Sequence, residues 1–274
     1  MAANAQSGQQ RFTVVKLPVV QLVLESLALP FRHLPELVRY GWIPFTGSLV
    51  VAFLNWLLRR LFLFAPWSVL FVNVAHFALY TPFCVAWTRI AIEGSHAKLP
   101  DRPFAYERAE WQYAGATAVM LIATVVLMAP GLSVTQYGQA TFSYGMRFLG
   151  GLLLLAGAVL VVVGFVRFAF VFPAIAIGRY RGIAPAWRQT AGNLEGLAVL
   201  VLLACAPFVA IELIMVYGPG REATGAAAVV TAIVQWLMEG VATLEGTIAP
   251  TLAYKWIVLG QGRRTTADPA VGRL

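Results

Sequence analysis

A chain of 274 residues that is 59% apolar and 12% charged, with a mean hydropathy of +0.75, lies far from soluble domains, which carry roughly 45–50% apolar and about 25% charged residues. Several apolar runs approach or exceed the ~20 residues that cross a bilayer, and they lack the alternation of barrel strands, so soluble and β-barrel folds are both excluded. The net charge of +8 is no nucleic-acid signature, because the basic residues stand at the ends of apolar runs rather than on one interleaved patch.

The fold expected is all-α: a polytopic integral membrane protein of about six transmembrane helices, arranged as three hairpins plus an N-terminal interfacial helix. Residues 1–11 read as a disordered tail. Residues 12–40 read as an interfacial amphipathic segment, because Gln21, Glu25 and Arg32 share one helical face with Val and Leu around the rest. The segment contains Lys16, Pro18 and Glu25 and has no small-residue cleavage site, so it is not read as a signal peptide. An elbow at 31–34 leads to a second short helix opened by Pro35.

The membrane domain spans 41–260. Its first crossing runs from about Trp42 to Leu58 and its second from Pro66 to Thr88. A mixed-charge loop precedes the third, at 111–130. Residues 131–145 read as a short polar excursion. The fourth crossing covers 148–172, the fifth 195–217, and the sixth lies within 226–259, a run long enough to tilt or bend. Residues 261–274 form a cytoplasmic tail. Basic residues crowd one side of this plan: Arg11, Lys16, Arg32 and Arg39, then Arg89, Lys98, Arg102 and Arg108, then Arg179, Arg181 and Arg188, and finally Lys255, Arg263, Arg264 and Arg273. Few basic residues (Arg59, Arg60, Arg147 and Arg221) fall on the other side, so the positive-inside rule puts both termini in the cytoplasm. Lys16, Lys98 and Lys255 are the only lysines among many arginines, a bias of GC-rich bacterial genomes, so the expected site is a bacterial inner membrane.

The even-numbered crossings share a pattern of proline, basic residue and glycine: Pro82–Arg89–Gly94, Pro173–Arg179–Gly182 and Pro250–Lys255–Gly260. An ionisable residue precedes each proline by five or six positions. These three, His76, Arg167 and Glu245, lie ten to thirteen residues before the basic marker. That is roughly 15–20 Å along a helix, near the middle of a ~30 Å hydrocarbon core. They form a candidate intramembrane polar layer, with Arg167 paired to Glu245. Gln235 and Glu239 add a weaker polar face. The bland reading is a charge pair that fixes helix register; the functional one is a proton or ion path.

No metal-ligand spacing surrounds the histidines or the two cysteines, Cys84 and Cys205, which read as packed thiols. No phosphate-loop, dinucleotide or hydrolase motif is present, so no cofactor and no enzyme activity are expected.

The stretch Phe172–Pro173 followed by GIAPAWRQTAGNLEG resembles the six-helix bacterial membrane domain found attached to glycerophosphodiester phosphodiesterases, which also has stand-alone relatives of unknown function. The resemblance rests on Pro173, Ala186, Thr190 and Gly196, and it implies a six-helix membrane fold with an Ala-rich amphipathic segment before the fifth crossing. It does not imply the phosphodiesterase activity, since none of His33, His76 or His96 precedes Arg-Gly as that enzyme's motif requires. The function expected is non-catalytic organisation of lipid or protein partners. The counterparts are the lipid bilayer and a membrane-protein partner, with no nucleic acid. The alternative is a small-solute or ion transporter using the midplane residues.

Overall fold

The computed structural model describes residues 17–61, 66–217 and 226–260. Both predicted tails lie outside the described residues, as do the side chains of Gln235 and Glu239. Every regular element among the described residues is helical: α1 (Val19–Arg32), α2 (Leu34–Leu61), α3 (Pro66–Glu93), α4 (Arg108–Ala140), α5 (Tyr144–Phe168), α6 (Val171–Ala176), α7 (Ile183–Ala191), α8 (Leu194–Tyr217) and α9 (Ala226–Ile257). Three runs among them are long and apolar enough to cross a membrane: Arg108–Ala140, Tyr144–Ala176 and Leu194–Ile211.

The core is concentrated at one end of the molecule. There the second half of α3 (Phe83, Trp87, Ile90), α6 with its lead-in (Phe170, Ile175), the start of α8 (Leu197, Leu200) and the end of α9 (Ile248) are fully buried. α1 lies across α8 and α9. Its buried stripe is Leu22, Ser26 and Leu29, while Val20, Leu24 and Phe31 stay exposed. The segment expected to lie in the interface thus has two apolar faces, one packed on the protein and one exposed.

Several expected boundaries move. The short second helix expected from Pro35 is not separate from the run that follows: after a one-residue turn at His33, α2 runs unbroken from Leu34 to Leu61. Pro35 falls in its first turn, where a missing N–H breaks no bond. The polar excursion at 131–145 is mostly helix, because α4 continues to Ala140 through Pro130. Its small and polar residues form a seam with α5 instead. A Cβ on Gly131 would lie 2.6 Å from the Leu154 backbone nitrogen, and one on Gly157 would lie 2.7 Å from the Leu127 carbonyl oxygen. Only glycine allows that approach, a device typical of helices packing in lipid. Ser143 accepts the Met146 N–H at 3.4 Å and opens α5, four residues earlier than the expected start.

The expected fourth crossing also breaks, at 169–170, before the short α6. The loop expected at 173–193 contains α7, which folds back on α5. It buries Ala186 and Thr190, two of the residues behind the family resemblance. The Thr190 hydroxyl lies 3.3 Å from the Arg167 carbonyl, one of the acceptors left open where α5 ends.

Candidate functional site

The proline–cation–glycine pattern corresponds to a physical arrangement at the packed end. Gly94, Gly182 and Gly260 all adopt positive φ (62°, 98° and 76°), so each permits a chain reversal that a Cβ would strain. Two of the three cations bond carbonyls at the end of a neighbouring helix. Lys255 Nζ of α9 donates to the Ala91 carbonyl of α3 at 3.1 Å, and Arg89 Nε of α3 donates to the Ala176 carbonyl of α6 at 2.9 Å. Both contacts place positive charge at a helix C-terminus, where the macrodipole favours it. Pro82 cannot donate to the Ala78 carbonyl four residues back. The Tyr106 hydroxyl, from the loop before α4, donates to that carbonyl. Burial raises the Tyr106 pKa above its usual value, which keeps the phenol protonated as the donor.

Arg89 carries a second contact that the sequence reading missed. Its Nη2 lies 3.5 Å from Glu110 Oε1, and Glu110 is 1% exposed. The other carboxylate oxygen accepts the Glu107 N–H at 3.1 Å, the capping-box contact at the start of α4. The signal was present, since Glu107 and Glu110 stand at capping-box spacing. Their mixed-charge surroundings read as a solvated loop. The same loop is tied to α2 by Tyr40, whose hydroxyl donates to the Pro100 carbonyl at 2.7 Å, and by Arg39 Nη2, which donates to the Asp101 carbonyl at 3.0 Å.

The three midplane residues do not form one layer. Arg167 is in the last turn of α5, and α7 folds up beside it. Its guanidinium carbon lies 5.1 Å from the Trp187 ring centroid, and Nη1 lies 3.5 Å from the Trp187 carbonyl oxygen. Arg167 makes no ion pair with Glu245. The depth argument failed because it treated 167–179 as one straight helix, whereas the chain breaks at 169–170. Glu245 is 2% exposed, and its Oε2 has no partner among the described residues. His76 faces elsewhere again, edge-on to Tyr80 at 6.4 Å.

His76 helps line a cavity of about 340 Å³ bounded by α3, α4, α5, α6 and α9. Thr243, Gly246, Thr247 and Pro250 bring one face of α9 to it. Glu245 falls on the opposite face, about 200° around the helix from Thr243. Besides the His76 imidazole, the polar side chains lining the cavity are hydroxyls and a thiol: Tyr80, Thr81, Cys84, Tyr113, Thr117, Thr243 and Thr247. Thr247 Oγ1 lies 3.5 Å from Cys84 Sγ, and Tyr113 lines the same space. Several of the hydroxyls are already committed to their own helices. Thr81 donates to the Phe77 carbonyl at 2.8 Å, Thr117 to Tyr113 at 3.0 Å and Thr247 to Thr243 at 2.9 Å. The buried His76 Nε2 has no partner among the described residues. Pro173 and Pro250, two of the three prolines of the sequence pattern, line the space. The i, i+4 threonines of α9 were the sequence signal for this face. No group of His, Cys, Asp and Glu suited to a metal ion occurs among the described residues. Comparison of the chain with protein families, characterised proteins and solved structures finds no match.

Proposed function

We propose that this chain is a non-catalytic integral protein of the bacterial inner membrane that organises lipid by holding an amphipathic lipid in the cavity beside His76. Its crossings are α2, α3, α4, the α5–α6 run, α8 and α9, arranged as three hairpins. The packed end and both termini are cytoplasmic, and the plan is that of the six-helix domain the sequence resembles. The basic residues support this orientation, since Arg89, Lys98, Arg102, Arg108, Arg179, Arg181, Arg188 and Lys255 gather at the packed end while Arg147 stands at the other.

The observation that carries the lipid reading is the cavity itself. Its volume of about 340 Å³ is within the roughly 300–1,000 Å³ of ligand pockets. Its walls are apolar with neutral hydroxyls, and the unpartnered His76 nitrogen supplies one hydrogen-bonding site. A glycerol hydroxyl or ester oxygen suits that nitrogen in its acceptor or donor form, and an acyl chain suits the phenylalanines and prolines. A bare ion would find no charged side chain there.

Gly246 offers the test. A Cβ at this position meets no atom within 4 Å, so a larger side chain enters the cavity without a clash at its root. Gly246→Phe should leave unfolding unchanged and abolish the lipid that copurifies with the chain, read by native mass spectrometry. Undiminished lipid on a folded Gly246→Phe protein would refute the reading. Cysteine labelling after Gly94 and at Gln139 tests the orientation, with only Gln139 reachable from the periplasm.

A further inference from the structure

The third cation of the repeat, Arg179, does not do what Arg89 and Lys255 do. Its side chain makes no hydrogen bond or ion pair among the described residues, and neither does that of its neighbour Arg181. Both arginines are exposed and line a recess of about 540 Å³ at the packed end. The backbone fixes the strap that carries them. Gly178 adopts φ +68°, with its N–H bonded to the Ile175 carbonyl at 3.0 Å and the Arg179 N–H bonded to the Ala174 carbonyl at 2.8 Å. That is the Schellman closure of α6. Gly182, at φ +98°, begins α7 and fixes the other end. The strap Arg179–Tyr180–Arg181 is therefore held between two glycine turns.

Beneath the strap lie Tyr254 and Gln189. Tyr254 is 4% exposed and packs edge-on against Phe170 at 5.5 Å, and its hydroxyl has no hydrogen-bond partner among the described residues. No carboxylate lines the recess, so the guanidiniums meet only neutral donors and apolar groups, among them Val258 and Leu259. Two guanidiniums, a phenol and an amide lining one recess together with apolar side chains match an anion attached to a hydrocarbon. Guanidinium–phosphate contacts are charge-assisted and frequently bidentate, and anionic lipids collect at the cytoplasmic leaflet.

We propose that this recess binds the phosphate of an anionic lipid headgroup, with Arg179 and Arg181 as its ligands and the Tyr254 hydroxyl as a third donor. The site is separate from the His76 cavity, but it rests on the reading of the packed end as the cytoplasmic face.

The full chain in detergent would be titrated with phosphatidic acid, phosphatidylcholine and inorganic phosphate, with bound molecules counted by native mass spectrometry. The wild type should prefer phosphatidic acid over phosphatidylcholine. Arg179→Gln with Arg181→Gln should weaken phosphatidic acid at least tenfold, and Tyr254→Phe severalfold. Arg188→Gln, an exposed arginine of the same basic face outside the recess, should have no effect. Equal weakening by Arg188→Gln would overturn the site in favour of diffuse surface charge, and full binding by the double variant would overturn it outright. Inorganic phosphate that binds in an arginine-dependent way without competition from phosphatidic acid would overturn the lipid assignment. Gly246→Phe should leave this selectivity intact, so failure here and failure of the cavity reading are told apart. Periplasmic labelling at Gly94 would remove the shared premise instead.

Discussion

The packed end and the α4–α5 pair are built from the same apolar alphabet but held together by different physics. At the packed end, large side chains interlock and polar groups cross between elements: Arg89 to Glu110 and Ala176, Lys255 to Ala91, Tyr106 to Ala78. Along the α4–α5 pair the contacts are backbone on backbone through Gly131, Gly138, Gly150 and Gly157, and Val119, Ile122, Leu155 and Val159 stay exposed. Only 6% of the most apolar window of α4 is buried. Where lipid replaces water, apolar side chains gain little by leaving it, so cohesion shifts to close packing and to polar groups that have no better partner. The pair relies mainly on the first, with one polar contact from Arg147 Nε to the Gly138 carbonyl at 3.2 Å beside its turn, and the packed end relies on both.

The comparison is broken most forcefully at Glu110. Glu110→Ala leaves the largely buried Arg89 with its Ala176 contact but without its carboxylate, and removing one partner of a buried pair costs about 3–5 kcal/mol. Unfolding of the purified protein in mixed micelles should show a drop of that order. Arg89→Met together with Glu110→Leu should recover most of it, whereas a double variant as unstable as the single would show that the Ala176 contact of Arg89 matters more than the ion pair.

Overpacking the glycine seam is the next largest effect. Gly157→Leu drives a side chain into the Leu127 carbonyl, and overpacking costs about 1–3 kcal/mol. The damage should be local: hydrogen exchange rises in α4 and α5 while the ends of α3 and α9 keep their protection. Uniform loss of protection would mean that the two regions fold as one cooperative unit.

Removing the donor to the proline-orphaned carbonyl is a change of comparable size. Tyr106→Phe keeps the ring and loses one hydrogen bond, for about 1–3 kcal/mol because the Ala78 acceptor stays without a partner. Pro82→Ala in the same background should restore part of that stability, since alanine supplies the missing N–H. Absence of any rescue would detach Tyr106 from the proline.

The smallest effect concerns Arg167. Its contacts are a ring face and one long hydrogen bond, so Arg167→Leu should cost only about 0.5–1 kcal/mol. Combined with Glu245→Gln, the two changes should add to within about 0.5 kcal/mol, as independent sites do. Strong coupling would restore the ion pair that the depth argument predicted.

Composition by itself determined the helical class, because apolar runs of this length without alternation leave the backbone few other ways to satisfy its hydrogen bonds. The starts of α3, α8 and α9 were legible for the same reason, each at or within one residue of its apolar run. The proline–cation–glycine pattern was legible too, since a positive-φ turn selects glycine wherever it occurs. Partnership was decided only by the tertiary structure. Glu110 stands 21 positions from Arg89 and read as loop charge until α3 and α4 were brought side by side. His76 and Glu245 looked alike in depth, yet α9 turns its threonines to the cavity and its carboxylate away from it. Arg167 met Trp187 instead of Glu245 because a break at 169–170 and the fold-back of α7 followed it. Counting residues along a helix fixes depth only while the helix continues, and azimuth decides which residues meet once several helices are packed.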